Sequence, residues 1–356
     1  MNSKKLVASI IGAEQTNRRF AALNIPTKAE FERILADVDP LAEKMQRWEQ
    51  LTYFAARIAE GAERNERALT FYGRLQASSN PQTAAVSLEK IKALEALGKV
   101  ATDTANTALK IMQEAAAYAN EVLNKKFGHK LDTPTVALIG DRNYRNAYWD
   151  GNKINAPEVI ADIPDIIYHE AAWPHVTAVW NVDYRGQPGA LFQSYTDVLG
   201  SLVKQQKLGQ SAKDADWEIG PGAIAWVAGR LDAVATDRQP LRSLKAPGTA
   251  YDDPIVGKDP QPRHFRDFVK LPETDAGDFG GVHINSGIPS KAFYEAAIQI
   301  GSDAAGAVWI EALKGFDRST DFQAAAKIIQ RKATERYGAG SREEKAVKAA
   351  WNSVGL

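Results

Sequence analysis

His169-Glu170 closes an apolar run made of Ile163, Ile166 and Ile167. On a helix, residues i and i+4 share a face. A second imidazole four positions on would let two His side chains grip one metal ion, with the intervening Glu as general base. Position 173 is Trp, not His. His175 stands further along, roughly 240° around a helix from His169, and does not share its face. Pro174 falls inside the same stretch, where it removes a hydrogen bond and clashes with the preceding turn. The segment from Tyr168 to Asp197 therefore begins as a metal site with part of its metal chemistry missing.

The chain that must position these residues has 356 of them, enough for two domains or a large core with an appendage. Hydrophobic residues are 44% and charged residues 25%, as in ordinary globular proteins. Lys+Arg and Asp+Glu are 44 each, so no global field draws the chain to nucleic acid or to an anionic membrane. No apolar run reaches the length of a membrane span. Without cysteine, disulfides, zinc-thiolate sites and thiol nucleophiles are excluded, and a zinc ligand has to be His or carboxylate. Met1-Asn2-Ser3-Lys4-Lys5 with Leu6 to Ala13 imitates a signal peptide, but its apolar part is short and Ile11-Gly12-Ala13 is a poor cleavage site. The first turns of a helix are the better reading. The compartment stays open, with the cytoplasm favoured over secretion.

Helix follows helix up to about residue 125. Asp39-Pro40 is a start signal, a capping side chain before Pro at the first helical position. Leu41, Met45, Trp48, Leu51, Ala55, Ile58 and Ala62 then form one apolar stripe. Ser78-Ser79-Asn80-Pro81 opens a second helix through Val86, Leu88, Ile91, Leu94 and Leu97, which Gly98 is expected to end. A third, Ala-rich helix is expected from about Asp103 to Leu123, stopping near Gly128. The stripe lacks sustained heptads, so a bundle is favoured over a partner-binding coiled coil. Thr133 to Gly140 reads as a strand. Asp141 to Gly151 mixes turn formers with aromatics, as a ligand cleft or a packed corner does. Gln193 to Gln205 reads as a helix. The irregular region from about 210 to 290 is long enough to be functional or disordered, and its aromatic content favours order. Helices at about Ser290–Ile300, Ala304–Lys314, Asp321–Tyr337 and Ser341–Asn352 close the chain. Ser341-Arg342-Glu343-Glu344 fits a capping box.

Gly280-Gly281-Val282-His283-Ile284-Asn285-Ser286-Gly287 resembles the thermolysin family of zinc metallopeptidases, and in particular its protealysin-like branch. Asn146-Ala147-Tyr148-Trp149, Tyr184, Gly186-Gln187-Pro188-Gly189-Ala190-Leu191, Asp216-Trp217-Glu218-Ile219-Gly220 and Leu241-Arg242-Ser243 add to the resemblance. So do Pro247 to Pro254 and Gly257 to Pro262. It runs unbroken from about 181 to 356 and thinly back to about 100. Residues 1–95 show none of it, where the family would carry β-rich structure. The fold implied is mainly α, with a helical N-terminal region over 1–100. Residues 101–155 would resemble the end of the family's N-terminal catalytic half. A thermolysin-like helical domain would span 156–356, with short strands near 133–150 and 175–185.

By resemblance, His169 is the first zinc ligand and Glu170 the general base toward zinc-bound water. Asp197 orients that His. Tyr184 and His283 stabilise the oxyanion, with Asp278 holding His283. Asn146, Arg242 and the Ala147 carbonyl contact the peptide backbone. The remaining two ligand positions fall on Trp173, which removes the ligand, and on Gln193, whose uncharged amide oxygen binds zinc poorly. A catalytic zinc needs three protein ligands plus water. Zinc is thus implied by resemblance and not expected to be held. Asp165, Asp216 and Glu218 match calcium ligands, but Lys204 and Pro221 stand where further acidic ligands would be, so calcium is not expected either. Trp173 reads as filling for the vacated pocket rather than a substrate platform. His175 is not expected to replace a ligand. His129 and His264 read as surface residues, and Lys125-Lys126 as helix-end charge.

Three functions follow from this reading. The first is a catalytically impaired or inactive peptidase homologue with a peptide-binding cleft, its ligand a peptide or protein. The second is an active zinc endopeptidase with an unusual ligand set, cleaving before bulky apolar residues. The third is a structural or interaction protein acting through its N-terminal helices. Neither nucleic acid nor membrane is an expected partner.

Overall fold

Alanine, leucine and lysine are strong helix formers, and they make up more than half of residues 84–110. The computed structural model describes residues 49–61, 65–76, 81–141 and 144–356. The chain divides into two units, Met1–Thr104 and Ala105–Leu356. In the first, α1 (Glu49–Gly61) packs on α2 (Asn65–Leu75). Ala55, Ile58, Ala59, Ala68, Phe71 and Leu75 are buried. Tyr72 donates to Glu60 at 2.9 Å, and Lys90 donates to the other Glu60 oxygen at 2.8 Å. The expected helix start at Asp39-Pro40 lies outside the described residues.

α3 runs without a break from Pro81 to Phe127, 47 residues. This corrects the expected division at Gly98. One helical glycine costs about 1 kcal/mol relative to alanine, too little to stop a helix of good formers. In the second unit α3 buries Met112, Ala116, Ala119, Val122 and Leu123. A three-stranded sheet follows, β1 (Thr135–Ile139), β2 (Tyr148–Trp149) and β3 (Lys153–Pro157), in the order β1-β3-β2. β3 runs parallel to β1, and β2 antiparallel to β3.

α4 (Pro164–Thr177) starts with Pro at its first position and continues through Pro174. Only the final turn follows that proline, and Thr177 Oγ1 bonds back to the Trp173 carbonyl at 2.9 Å. The strand expected near 175–185 is absent. Trp180 N donates to Val176 O, its indole N–H to Asp317 O, and Asp183 N to Arg318 O, so these groups are taken by a helix end and a distant loop.

α5 (Gly186–Leu208) packs on α4. The approach is close at Gly200, where a Cβ would meet the His169 backbone N at 3.2 Å. β4 (Glu218–Ile219) precedes α6 (Ala223–Val227) and pairs antiparallel with β5 (Arg242–Ser243). β6 (Asp252–Asp253) and β7 (Gly257–Lys258) form a hairpin. α7 (Asp278–Asn285) begins with four residues in the left-handed region, from Asp278 (φ 53°) to Gly281 (φ 77°). A Cβ on Gly280 would stand 2.9 Å from Gly186 N, so the packing requires glycine there. α8 (Gly287–Ile300), α9 (Ser302–Ala312), α10 (Phe322–Tyr337) and α11 (Arg342–Ser353) complete the chain. The Ser341 cap forms: its Oγ accepts from Glu344 N at 3.1 Å. Glu344 reaches the Gly340 N–H rather than that of Ser341. Trp180, Trp217, Trp309 and Trp351 are fully buried in the core. The fold is mainly α with a few short strands. No helix among the described residues is long and apolar enough to cross a membrane.

Candidate functional site

α4 carries His169 and Glu170, α5 carries Gln193, Thr196 and Asp197, and β5 carries Arg242. His169 Nδ1 lies 2.8 Å from Asp197 Oδ1. Arg242 grips the same carboxylate twice, Nη2 to Oδ1 at 2.8 Å and Nε to Oδ2 at 2.7 Å. A bidentate, charge-assisted pair of this kind is among the stronger polar contacts available. Burial works against the Asp197 anion, but Arg242 and His169 overcome it and hold the carboxyl at about 2. The ionised carboxylate accepts only, so His169 Nδ1 bears the proton and Nε2 keeps its lone pair. Burial lowers the His169 pKa despite Asp197, which keeps the ring neutral. Its Nε2 is 3.3 Å from Thr196 Oγ1, whose own proton goes to Gln193 O at 2.9 Å.

Glu170 is buried and accepts the Trp149 backbone N–H at 2.8 Å. Burial pushes its carboxyl up to about 8, with Trp149 and Arg242 pulling the other way. Glu170 is therefore predominantly protonated near neutrality. Asn146 and Ala147 lead directly into β2, the strand that supplies this N–H.

The Gln193 amide donates to the Tyr184 hydroxyl. The Tyr184 ring lies 5.2 Å from Trp173, 5.8 Å from Phe192 and 6.2 Å from Phe279. Trp173 packs against Phe192, ring centroids 4.4 Å apart. Burial raises the Tyr184 pKa, so its hydroxyl stays protonated. Gln193 Oε1 and Trp173 Nε1 are buried without a hydrogen-bond partner. On the cleft's other side, His283 donates twice to Asp278, from Nδ1 at 2.5 Å and from its backbone N at 2.9 Å. With Nδ1 so engaged, Nε2 of this half-exposed ring is the nitrogen left to meet a ligand. Among the described residues, no three His, Cys, Asp or Glu side chains stand close enough to share a metal ion.

His175 points away from this cluster. Its Nδ1 meets His129 Nε2 at 2.8 Å and its Nε2 meets Asn120 Oδ1 at 3.0 Å. Both ring nitrogens are used, so His175 is not available beside His169. His129 is likewise no free surface residue, being stacked on Phe127 and on His175, with ring centroids 5.0 Å away in each case. His264 caps the short turn after it by accepting from Arg266 N at 3.1 Å. Lys204 Nζ contacts Asp165 Oδ2 at 2.9 Å, Asp216 Oδ2 at 2.8 Å and Glu218 O at 3.2 Å. An ammonium thus stands among residues that match calcium ligands of the family by resemblance.

Sequence reasoning missed the Trp149 N–H, Thr196 and the Phe192–Phe279 wall. A backbone donor leaves no mark in residue type. Thr196 was signalled only by lying next to Asp197.

Residues 181–356 match the family described as thermolysin metallopeptidase, alpha-helical domain. The chain is 36% identical over 278 residues to protease PrtS of Photorhabdus sp. (strain Az29), covering 73% of this chain and 69% of that protein. Over 121 residues it is 51% identical to an extracellular minor metalloprotease of Serratia marcescens, covering 34% of this chain and 31% of that one. Among solved structures, it resembles the precursor of protealysin, a metalloproteinase from Serratia proteamaculans. The TM-score is 0.61 and the identity 32%, over 70% of this chain and 79% of that chain.

Proposed function

From the premise that this chain belongs to the thermolysin family of metallopeptidases, we propose that it is a catalytically impaired member that retains a peptide-binding cleft. The observation that carries this reading is the packing at Trp173 and Gln193. Trp173, one helical turn after His169, is built into the aromatic wall with Phe192 and Tyr184. Gln193 has its amide committed to the Tyr184 hydroxyl. Neither residue offers the imidazole or carboxylate that zinc prefers, and a catalytic zinc requires three such protein ligands. His169 alone, with its lone pair beside Thr196, does not make a zinc site. The residues present therefore do not fit the metal that the family implies, and no hydrolytic step is routed through it.

What remains is suited to holding an extended peptide. Asn146 and the Ala147 carbonyl, at the entry to β2, would bond its backbone. Arg242 uses Nε and Nη2 on Asp197, which leaves Nη1 for a ligand carbonyl. His283, aligned by Asp278, would present Nε2 to the ligand. Tyr184 and Phe279 supply apolar contact. Glu170, protonated near neutrality, acts as a neutral hydrogen-bond donor in the cleft and not as a strong base.

Metal analysis of the chain purified without chelator, together with peptide cleavage measured with and without chelator, tests the proposal. Absence of stoichiometric zinc and of cleavage, with measurable binding of a bulky apolar peptide, is the expected result. Stoichiometric zinc with chelator-sensitive cleavage would overturn it in favour of an active endopeptidase with an unusual ligand set.

A further inference from the structure

We infer that the Lys204 ammonium is a built-in replacement for a divalent cation, which makes the junction of α4, α5 and β4 independent of metal. Lys204 lies near the end of α5, and its side chain is buried. Its Nζ meets oxygens from three separate positions: Asp165 at the start of α4, Asp216 just before β4, and the Glu218 carbonyl within β4. Asp165 Oδ2 also accepts the Gly220 N–H at 3.2 Å. The ammonium is thus held by two carboxylates and one carbonyl drawn from three segments of the chain.

Two carboxylates stand on the one Lys204 ammonium. An oxygen cage with surplus anionic charge is the chemistry that hard cations such as Ca²⁺ require, with ligands at about 2.3–2.6 Å. Here the oxygens stand at 2.8–3.2 Å, the spacing of hydrogen bonds to nitrogen. One point in space does not hold both Nζ and a metal ion. The residues present therefore do not fit the calcium that the family resemblance implies. The consequence reaches the cleft, because Asp165 begins the helix that carries His169 and Glu170 one turn later. A covalently tethered cation keeps that helix start anchored in any ionic medium. The inference does not depend on whether the cleft is active.

Thermal unfolding of the full chain and of Lys204→Ala, each in chelator and in millimolar calcium, provides the test. The parent is expected to melt at the same temperature in both media. Lys204→Ala leaves buried carboxylates uncompensated and should melt lower in chelator, by on the order of 10 °C. Calcium should restore most of that loss, and adding Asp216→Asn should abolish the restoration. A parent melting temperature that rises with calcium, with the rise lost in Asp216→Asn, would overturn the inference. So would a Lys204→Ala loss that calcium does not mend. If Lys204→Ala accumulates unfolded, refolding from denaturant gives the same reading: recovery only with calcium supports it, and no recovery in either medium overturns it.

Discussion

Asp197 is the hinge of the cluster: its Oδ1 lies 2.8 Å from His169 Nδ1, while Arg242 closes both oxygens from the other side. Replacing Asp197 with Asn leaves the buried Arg242 charge uncompensated and leaves one acceptor oxygen where His169 and Arg242 now share two. Asp197→Asn should cost about 3–5 kcal/mol, read by urea denaturation at pH 7. The Asp197 pKa falls from its ordinary 3.8 to about 2 on folding. Its stabilisation is therefore complete above pH 4 and lost as the pH falls toward 2.

Glu170 has the opposite linkage. Its folded carboxyl titrates at about 8 against an ordinary 4.5. Between those values the unfolded chain gives up a proton that the folded one keeps, so this group's contribution weakens as the pH rises from 4.5 through 8. Glu170→Gln cannot ionise and still accepts from Trp149 N. It should exceed the parent in stability by on the order of 3 kcal/mol at pH 8 and match it near pH 4.5. Denaturant titrations at the two pH values check this.

The His129–His175–Asn120 chain makes the end of α4 sensitive to acid. Asn120 donates from Nδ2 to Leu131 O, so its Oδ1 accepts from His175 Nε2, and His175 Nδ1 accepts from His129. Protonating His175 breaks that last bond. Burial, with His129 beside it, depresses its pKa from 6.5 to about 3. Stability from this group is present above pH 6.5 and declines as the pH falls toward 3, by up to about 1.4 kcal/mol per unit. His175→Gln should be less stable than the parent at pH 7 but show a shallower loss between pH 6.5 and 4, read from urea midpoints.

Restoring the two suspect positions examines the proposed loss directly. Trp173→His with Gln193→Glu, combined with Pro174→Gly, should let the chain retain stoichiometric zinc and cleave peptides in a chelator-sensitive manner. Adding Glu170→Gln to that background should lower the regained rate by roughly 10²–10⁴-fold. A zinc-loaded variant without cleavage would mean that the retained residues are not arranged for catalysis.

Much of the helical scaffold was legible because its signals are local. The Asp321 and Ser341 caps act within three residues of themselves, and the helices they open begin as expected. Family ancestry was legible because the run Gly280 to Gly287 and the segments around Tyr184, Trp217 and Arg242 resemble the family residue by residue. The division of α3 at Gly98 and the strand near 175–185 were misread for the converse reason. Whether a glycine ends a helix, or an extended segment finds a strand, depends on neighbours that sequence spacing does not reveal.

Residue identity by itself determined the chemistry on offer: one His-Glu pair, an Asp to orient it, and Trp and Gln where further ligands would stand. Only the tertiary structure decided how those groups are used. It turned His175 away from His169 onto His129 and Asn120, seated Lys204 between two carboxylates and a carbonyl, and brought a backbone N–H of β2 onto Glu170. The physical reason is that pKa, tautomer and occupancy are set by burial and by atoms within about 3 Å, and folding assembles those atoms from segments far apart in the chain.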